Sequence, residues 1–137
     1  MKVNWKGHYS YEQEFDERQA HSFELLVDIS DDEFEGIAVE EEFTARTNES
    51  PIVIGFVADD RISFTKQYPF QFAADDDNNI VIDRSKPGHQ VVYEGVKNHD
   101  TNEWEGHWEI MSGEVRLSTD VYLAVIDSGS WRMKIPE

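Results

Sequence analysis

The sequence has no cysteine, no long apolar segment and few basic residues. The absence of cysteine among its 137 residues excludes disulfides, thiol nucleophiles and thiolate metal sites. No apolar run approaches the roughly 20 residues of a membrane-spanning helix, so we expect a soluble protein that stays in the cytoplasm. Packing alone must then hold the fold together, and we expect one domain that spans residues 1–137.

Basic residues are outnumbered by acidic ones, 12 against 29, which gives a formal net charge of −17 at pH 7. A surface of this charge repels phosphate backbones and anionic lipids, so we predict neither nucleic acid nor a membrane as a partner. A basic protein partner fits the charge, although excess charge also serves simply to keep a protein in solution. The charge leaves the oligomeric state open.

Motifs of catalytic and metal centres are also missing. The chain has no nucleophile elbow, no phosphate-binding loop and no HxH, HxxxH or HExxH spacing. Asp75, Asp77 and Asn79 match the first three ligand positions of a calcium loop. Ile80 stands where that loop needs glycine, and Lys86 where it needs a bidentate glutamate. We predict no metal centre and no cofactor, and an enzyme with interior acid–base groups is the last-ranked hypothesis.

The hydrophobic residues that are present alternate with polar ones, which indicates half-buried β-strands. In HSFELLVDIS, for example, Phe23, Leu25 and Val27 fall on one face. The other strand-like segments are 5–15, 33–43, 52–58, 61–70, 89–96, 103–111, 121–126 and 131–135. Short gaps with turn residues, such as Asp31-Asp32 and Asp127-Ser128-Gly129-Ser130, are interpreted as turns and indicate antiparallel neighbours. We predict an all-β fold, a single antiparallel up-and-down β-barrel of about 8–10 strands.

A triplet of aromatic, charged residue and glycine occurs four times, at 5–7, 34–36, 93–95 and 104–106. Residues i and i+2 of a strand share a face, so each triplet places its aromatic and its glycine on one face and its charge on the other. If the charges face water, the glycines point inward, where they permit bending or close packing. The triplets therefore predict the strongly coiled strands of a small barrel.

With this pattern the chain resembles the calycin-type meander barrels, the group of avidin and streptavidin, the lipocalins and the fatty-acid-binding proteins. The resemblance rests on Gly7-His8-Tyr9 in the first strand, on Gly106-His107-Trp108 late in the chain, and on a strand rhythm that extends over nearly the whole sequence. Small bacterial proteins of unassigned function also adopt such barrels. The polar biotin-binding groups of avidins do not align with this sequence, so the resemblance does not imply biotin.

The face assigned by the triplets also selects candidate site residues. Glu40 and Lys66 are charged residues at inward positions, and a buried charge needs a partner. For Lys66 three alternatives are open: it snorkels to solvent along Tyr68, pairs internally with Glu40, or anchors a ligand. The candidate ligand-binding residues in the lumen are Lys66, Tyr68, Glu40, Tyr9, Tyr93, Trp104 and Trp108.

Two functional hypotheses follow. In the first, the lumen binds a small, mostly apolar ligand between aromatic walls. In the alternative, the chain is an acidic protein–protein interaction module of the inhibitor or antidote type, with a filled and purely structural interior. The run Glu40-Glu41-Glu42 and the acidic loop at 75–77 motivate the alternative. A lumen filled by Trp104, Trp108 and Phe64 would favour it.

Overall fold

A computed structural model contains ten β-strands within the residues that it describes. These residues are 1–11, 21–41, 44, 48–74, 80–85, 88, 90–117 and 120–135, with side chains described for all except 11, 71–74, 80–83, 111–117 and 120–127. Within these ranges no helix has the length and apolarity needed to cross a membrane. The strands are β1 (Lys2–Tyr11), β2 (His21–Ser30), β3 (Glu33–Glu40), β4 (Ile52–Ala58), β5 (Arg61–Gln67), β6 (Gln71–Ala74), β7 (Ile80–Asp83), β8 (Gln90–Asn98), β9 (Glu103–Leu117) and β10 (Asp120–Lys134).

Eight of the strands form a closed antiparallel barrel in the order β1-β10-β9-β8-β5-β4-β3-β2. Neighbours in the barrel are neighbours in the chain except at the closure between β1 and β10 and between β5 and β8, where β6 and β7 form a separate two-stranded hairpin. The barrel closes where β10 pairs with β1, from Lys6 opposite Lys134 to Tyr11 opposite Gly129. The predicted all-β, up-and-down barrel is confirmed, and this architecture is consistent with the resemblance to calycin-type barrels.

The predicted C-terminal segments 121–126 and 131–135 are parts of one strand, β10, which closes the barrel. The stretch Asp127-Ser128-Gly129-Ser130 has turn composition, yet Gly129 is paired with both neighbouring strands. Two register shifts relative to β9 precede it, and shifts of this kind let a long strand bend while it stays paired. The composition of this stretch therefore reflects bending of a strand, and its interpretation as a turn is wrong.

The hairpin between β2 and β3 turns at Asp31-Asp32, as predicted. Both residues have positive φ, 52° for Asp31 and 71° for Asp32. Two positive φ values are what a two-residue type I′ turn requires, and its twist matches that of the flanking strands. Aspartate tolerates this conformation better than most residues, because its short side chain can bond to the local backbone.

The four triplets have the predicted orientation. Their charged residues are exposed, and their aromatic residues are buried. The buried aromatics are Trp5, Phe34, Tyr93 and Trp104. The sequence pattern therefore assigned the inner and outer faces of four barrel strands correctly.

A tryptophan ring covers one inward glycine, Gly129, and ties neighbouring strands together. A Cβ atom added at Gly129 would lie 2.6 Å from the Trp108 ring and would collide with the carbonyl oxygen of Ser10. The Trp108 indole nitrogen donates hydrogen bonds to the carbonyl oxygens of Ser10 at 3.2 Å and Ser130 at 3.1 Å. Only glycine leaves room for the ring here, and the buried indole N–H is satisfied by the barrel wall.

Contacts between aromatic rings extend along the lumen. Phe64 stacks on Tyr93 with ring centroids 4.5 Å apart, and Trp131 meets both rings edge-on at 5.4 and 5.7 Å. These separations are typical of favourable aromatic pairs. Other pairs in the same core are Trp5–Phe34, Phe34–Phe64, Tyr9–Phe23, Tyr9–Trp108 and Phe23–Tyr93. The chain's own side chains thus pack in the lumen, as barrels of about eight strands allow.

Candidate functional site

The barrel interior contains a hydrogen-bonded polar group made of Glu40, Lys66, Tyr68 and Tyr93, which we call the interior polar group. Lys66 Nζ donates to Glu40 Oε2 at 2.8 Å and to Tyr93 Oη at 2.9 Å. Tyr68 Oη donates to Glu40 Oε1 at 2.6 Å. The side chains of Lys66 and Glu40 are 0% and 1% exposed, so hydrogen bonds and ion pairing must compensate for their lost hydration.

The position of Lys66 follows from strand periodicity and register. Along β5, Ile62, Phe64 and Lys66 alternate inward. The cross-strand neighbours of Lys66 are Val53 on β4 and Val91 on β8, both buried and apolar. The adjacent strands therefore offer no ionic partner at this level. The carboxylate partner is Glu40 at the end of β3. Because Glu40 lies far from Lys66 in sequence, the local alternation of residues could not establish that the two side chains pair.

Aromatic rings surround the ammonium group of Lys66. Its Nζ lies 4.4 Å from the ring centroid of Phe23, 4.5 Å from that of Tyr93 and 5.5 Å from that of Tyr9. Ring faces attract cations through their quadrupoles within about 6 Å, most strongly where water is excluded. The interior polar group thus combines one carboxylate, two tyrosine hydroxyls and aromatic faces around a single ammonium.

This arrangement excludes one of the three alternatives for Lys66 and shows the internal pair, whereas the role as a ligand anchor stays a prediction. Snorkelling is wrong, because the side chain is fully buried and bonded to Glu40. Tyr68 and Tyr93 join the pair as hydrogen-bonding partners, and Tyr9 contributes a ring. The five inward candidates from sequence therefore do come together at one end of the barrel.

The two remaining candidates, Trp104 and Trp108, are located differently. Trp104 pairs in register with Met133 of β10 and lies next to the β8–β9 turn, whereas Lys66 is at the level of Ile110, further along β9. The Trp108 indole N–H is bonded to wall carbonyls. Both rings are buried parts of the core rather than members of the interior polar group.

The acidic run at 40–42 is not a continuous acidic surface. Glu40 is buried in the lumen, whereas Glu41 is exposed and accepts a hydrogen bond from Ser22 Oγ at 2.8 Å. Glu42 and the acidic loop at 75–77 lie outside the described residues. In the described part of the chain, no three potential metal-binding side chains are grouped together. The calcium-like cluster at 75–79 also lies outside that part.

The outer wall carries a second feature, an exposed apolar surface centred on strand β4. Its outward side chains are Ile52, Ile54 and Phe56, which are 56%, 62% and 50% exposed. Register extends the surface sideways, because Ile52 lies opposite Ile37, which lies opposite Leu26. We call this surface the β4 face, and its members are Leu26, Ile37, Val39, Ile52, Ile54 and Phe56.

Carboxylates border the β4 face on one side. Glu35 lies opposite Ile54, Glu33 opposite Phe56, and Asp28 opposite Glu35. All three carboxylates are exposed, and that of Asp28 accepts a hydrogen bond from the Met1 α-ammonium at 2.9 Å. On the other side, β5 presents the neutral side chains of Ser63 and Thr65. The face is therefore apolar in the middle and acidic along one border.

The wall is concave on both sides of Phe56. One concavity of about 870 Å³ is lined by Ile54, Phe56 and the acidic border that includes Glu33 and Glu35. The other, of about 1080 Å³, is lined by Phe56, by Arg61 of β5, and by polar and apolar residues of β8, β9 and β10 that include Val96. Inward glycines such as Gly55, which lines the first concavity, let strands bend toward the barrel axis, and such bending leaves the outer wall concave.

Comparison of the chain with protein-family models, with curated proteins and with solved structures finds no match. Arguments about function therefore rest on the chemistry of its own residues.

The sequence interpretation missed the β4 face, although a signal for it is present. Strand β4 reads IVIGFVA and contains no polar side chain, whereas the other side-chain-described barrel strands carry polar residues on the outside. A strand with apolar residues on both faces is typical of strands that are covered on both sides. In this barrel only the inner face of β4 is covered by the chain's own core.

Proposed function

We propose that the chain is a protein-binding module that docks a partner on the β4 face, with a barrel interior that serves structure. The partner's contacting surface has an apolar centre and lysine or arginine residues along one edge. The observation that carries this proposal is the apolar outer side of β4 beside the carboxylates of Glu33 and Glu35.

Exposure of β4 supports a docking role because contiguous apolar surface is uncommon on proteins that act alone. Isolated exposed leucines or valines need no explanation, but contiguous patches mark interaction surfaces. Ile52, Ile37 and Leu26 are direct neighbours in the strand register. The other members follow two residues apart along the same outer faces of β3 and β4, so the members form one surface. Phe56 stands between two concavities and offers a large, rigid anchor of the kind found at the centre of interfaces.

Charge indicates which partner fits. Two copies of a chain with net charge −17 repel each other, and a face bordered by carboxylates adds local repulsion. A basic partner is attracted at long range, which raises the association rate, and it neutralises the acidic border on contact. This support points to a heterologous basic partner rather than to a second copy of the chain.

The lumen hypothesis stays a prediction with less support. Resemblance to avidin-type and lipocalin-type barrels favours a binding function in general, and in those barrels the lumen is the expected site. Here Phe64 and Trp131 pack against Tyr93 across the lumen, and Lys66 bonds to Glu40. A ligand would have to displace these contacts, which favours the outer wall.

The test is a selection of peptides from a random display library against the immobilised protein. We expect enriched peptides to combine aliphatic or aromatic residues with lysine and arginine, and to bind more weakly as salt rises. Ile54→Glu should weaken a selected peptide by at least about tenfold. Thr101→Glu, in the exposed turn between β8 and β9, adds the same charge away from the β4 face and both concavities, and as the control it should leave affinity unchanged.

A charge-reversal pair tests the acidic border separately. Glu35→Lys should weaken the same peptides, whereas Glu109→Lys on the exposed face of β9 should not. The proposal would be overturned if the enriched peptides were acidic or uncharged, or if Ile54→Glu left their affinity unchanged. Sedimentation of the free protein tests whether a second copy of the chain occupies the β4 face instead. A dimer that Ile54→Glu dissociates would assign the face to that second copy and reject the basic partner.

A further inference from the structure

We infer that the barrel interior is a binding site for a primary alkylammonium ion, and that the chain occupies this site with its own Lys66. The inference concerns the lumen and does not depend on docking at the β4 face. In this view the Lys66 ammonium is a ligand that is covalently part of the chain. The remaining members of the interior polar group form the site that binds this ammonium.

The hydrogen-bonding groups around Nζ are those that recognise an ammonium. Glu40 supplies a buried negative charge at 2.8 Å, and Tyr93 supplies a hydroxyl acceptor at 2.9 Å. The second oxygen of Glu40 accepts from Tyr68, which holds the carboxylate in position for the cation. Within the described residues, no buried side-chain nitrogen or oxygen lacks a hydrogen-bond partner.

The aromatic groups add selectivity for a cation. Phe23 and Tyr93 place ring centroids 4.4 and 4.5 Å from Nζ, which belongs to a fully buried side chain. Aromatic faces of this kind are the usual means by which proteins recognise ammonium ligands. The charge of Glu40 would repel an anion, and a neutral ligand would leave that buried charge without a counter-ion.

The site differs from an ordinary buried ion pair because its ligand can be detached from the chain. Lys66→Ala removes three methylene groups and the ammonium, which together correspond to n-propylammonium. The walls that would hold the free ion, chiefly Val53, Val91 and the rings, belong to other strands and stay in place. The variant should therefore accept n-propylammonium where the wild type cannot.

The experiment measures thermal unfolding of the full-length Lys66→Ala variant with increasing n-propylammonium chloride at neutral pH. We expect the unfolding midpoint to rise with the logarithm of amine concentration, as for any ligand that binds the native state. n-Propanol and sodium propionate at matched concentration and ionic strength should give no comparable rise. Wild type and the exposed-lysine control Lys134→Ala should not respond to the amine.

A second variant isolates the role of the carboxylate. In Lys66→Ala/Glu40→Gln, the preference for n-propylammonium over n-propanol should be lost, because the cavity remains and the charge does not. If Lys66→Ala is unfolded in buffer, far-ultraviolet circular dichroism should show folding on addition of amine. Failure of the amine to fold or stabilise Lys66→Ala beyond the propanol and sodium chloride controls would overturn the inference. An equal response of Lys134→Ala would also do so.

Discussion

Lys66→Met breaks the interior ion pair while it keeps an unbranched side chain that is one heavy atom shorter. The change leaves Glu40 buried at 1% exposure with Tyr68 as its remaining described donor, so a buried charge loses its counter-ion. Removal of one partner of a buried pair costs about 3–5 kcal/mol of stability. For a chain of 137 residues this corresponds to a fall in Tm of about 10–17 °C. A snorkelling lysine would have made the same substitution neutral.

The assay is urea unfolding followed by tryptophan fluorescence, in a double-mutant cycle with Glu40→Leu. Each single variant leaves one buried charge unpaired, whereas the double variant leaves none. The double variant should therefore lose less stability than the two single losses together, with a coupling energy of at least about 2 kcal/mol. Lys134→Met, on the exposed face of β10, is the control and should stay within about 0.5 kcal/mol of wild type. A loss below about 1 kcal/mol for Lys66→Met, or additive single losses, would refute the reasoning.

Two further predictions concern the barrel wall and the chain start. Gly129→Ala should cost about 1–3 kcal/mol in chemical denaturation, because its methyl group collides with a neighbouring strand and a tryptophan ring, whereas Ser130→Ala should be nearly neutral. A Gly129→Ala protein as stable as wild type would show that the wall repacks freely. The Met1 α-ammonium donates a hydrogen bond to Asp28, and this bond and the ammonium charge lower the pKa of Asp28 below 3.8. The stability that this contact contributes is therefore present above pH 3.8 and is lost as pH falls through the lowered pKa. NMR titration of the Asp28 carboxyl should show a midpoint below 3.8, and acetylation of the α-amino group should return that midpoint to the ordinary value. A midpoint at or above 3.8 in the unmodified chain would contradict the assignment.

Local pattern was sufficient for the fold because a half-buried strand repeats with period two. That repeat, together with short gaps such as Asp31-Asp32, predicted an antiparallel meander barrel. Pattern failed at residues 127–130, where turn-type residues belong to a bent strand. Bent strands and turns need the same small residues, so composition does not distinguish them. Pairing with the neighbouring strands on both sides identifies residues 127–130 as part of a strand.

The candidate site was predictable in its members and not in its geometry. Parity placed Glu40 and Lys66 on the inside, since one step along a strand reverses the face. It did not show that β3 and β5 bring a carboxylate within 2.8 Å of the ammonium, because β4 lies between them. Trp104 and Trp108 also face inward, yet they pack in the core and are not members of the interior polar group. The alternation of residues along a strand assigns a face but not a position along the barrel axis, so it could not make this distinction.

The sequence by itself determined that this chain forms a barrel, which residues face inward, and that a lysine and a glutamate had to be accommodated there. Tertiary structure alone decided that Lys66 pairs with Glu40, that aromatic rings pack in the lumen, and that the outer side of β4 is left uncovered. The division has a physical cause. Face and turn are properties of a few consecutive residues, whereas pairing across a lumen and coverage of an outer wall depend on the number, tilt and stagger of all the strands that close the barrel.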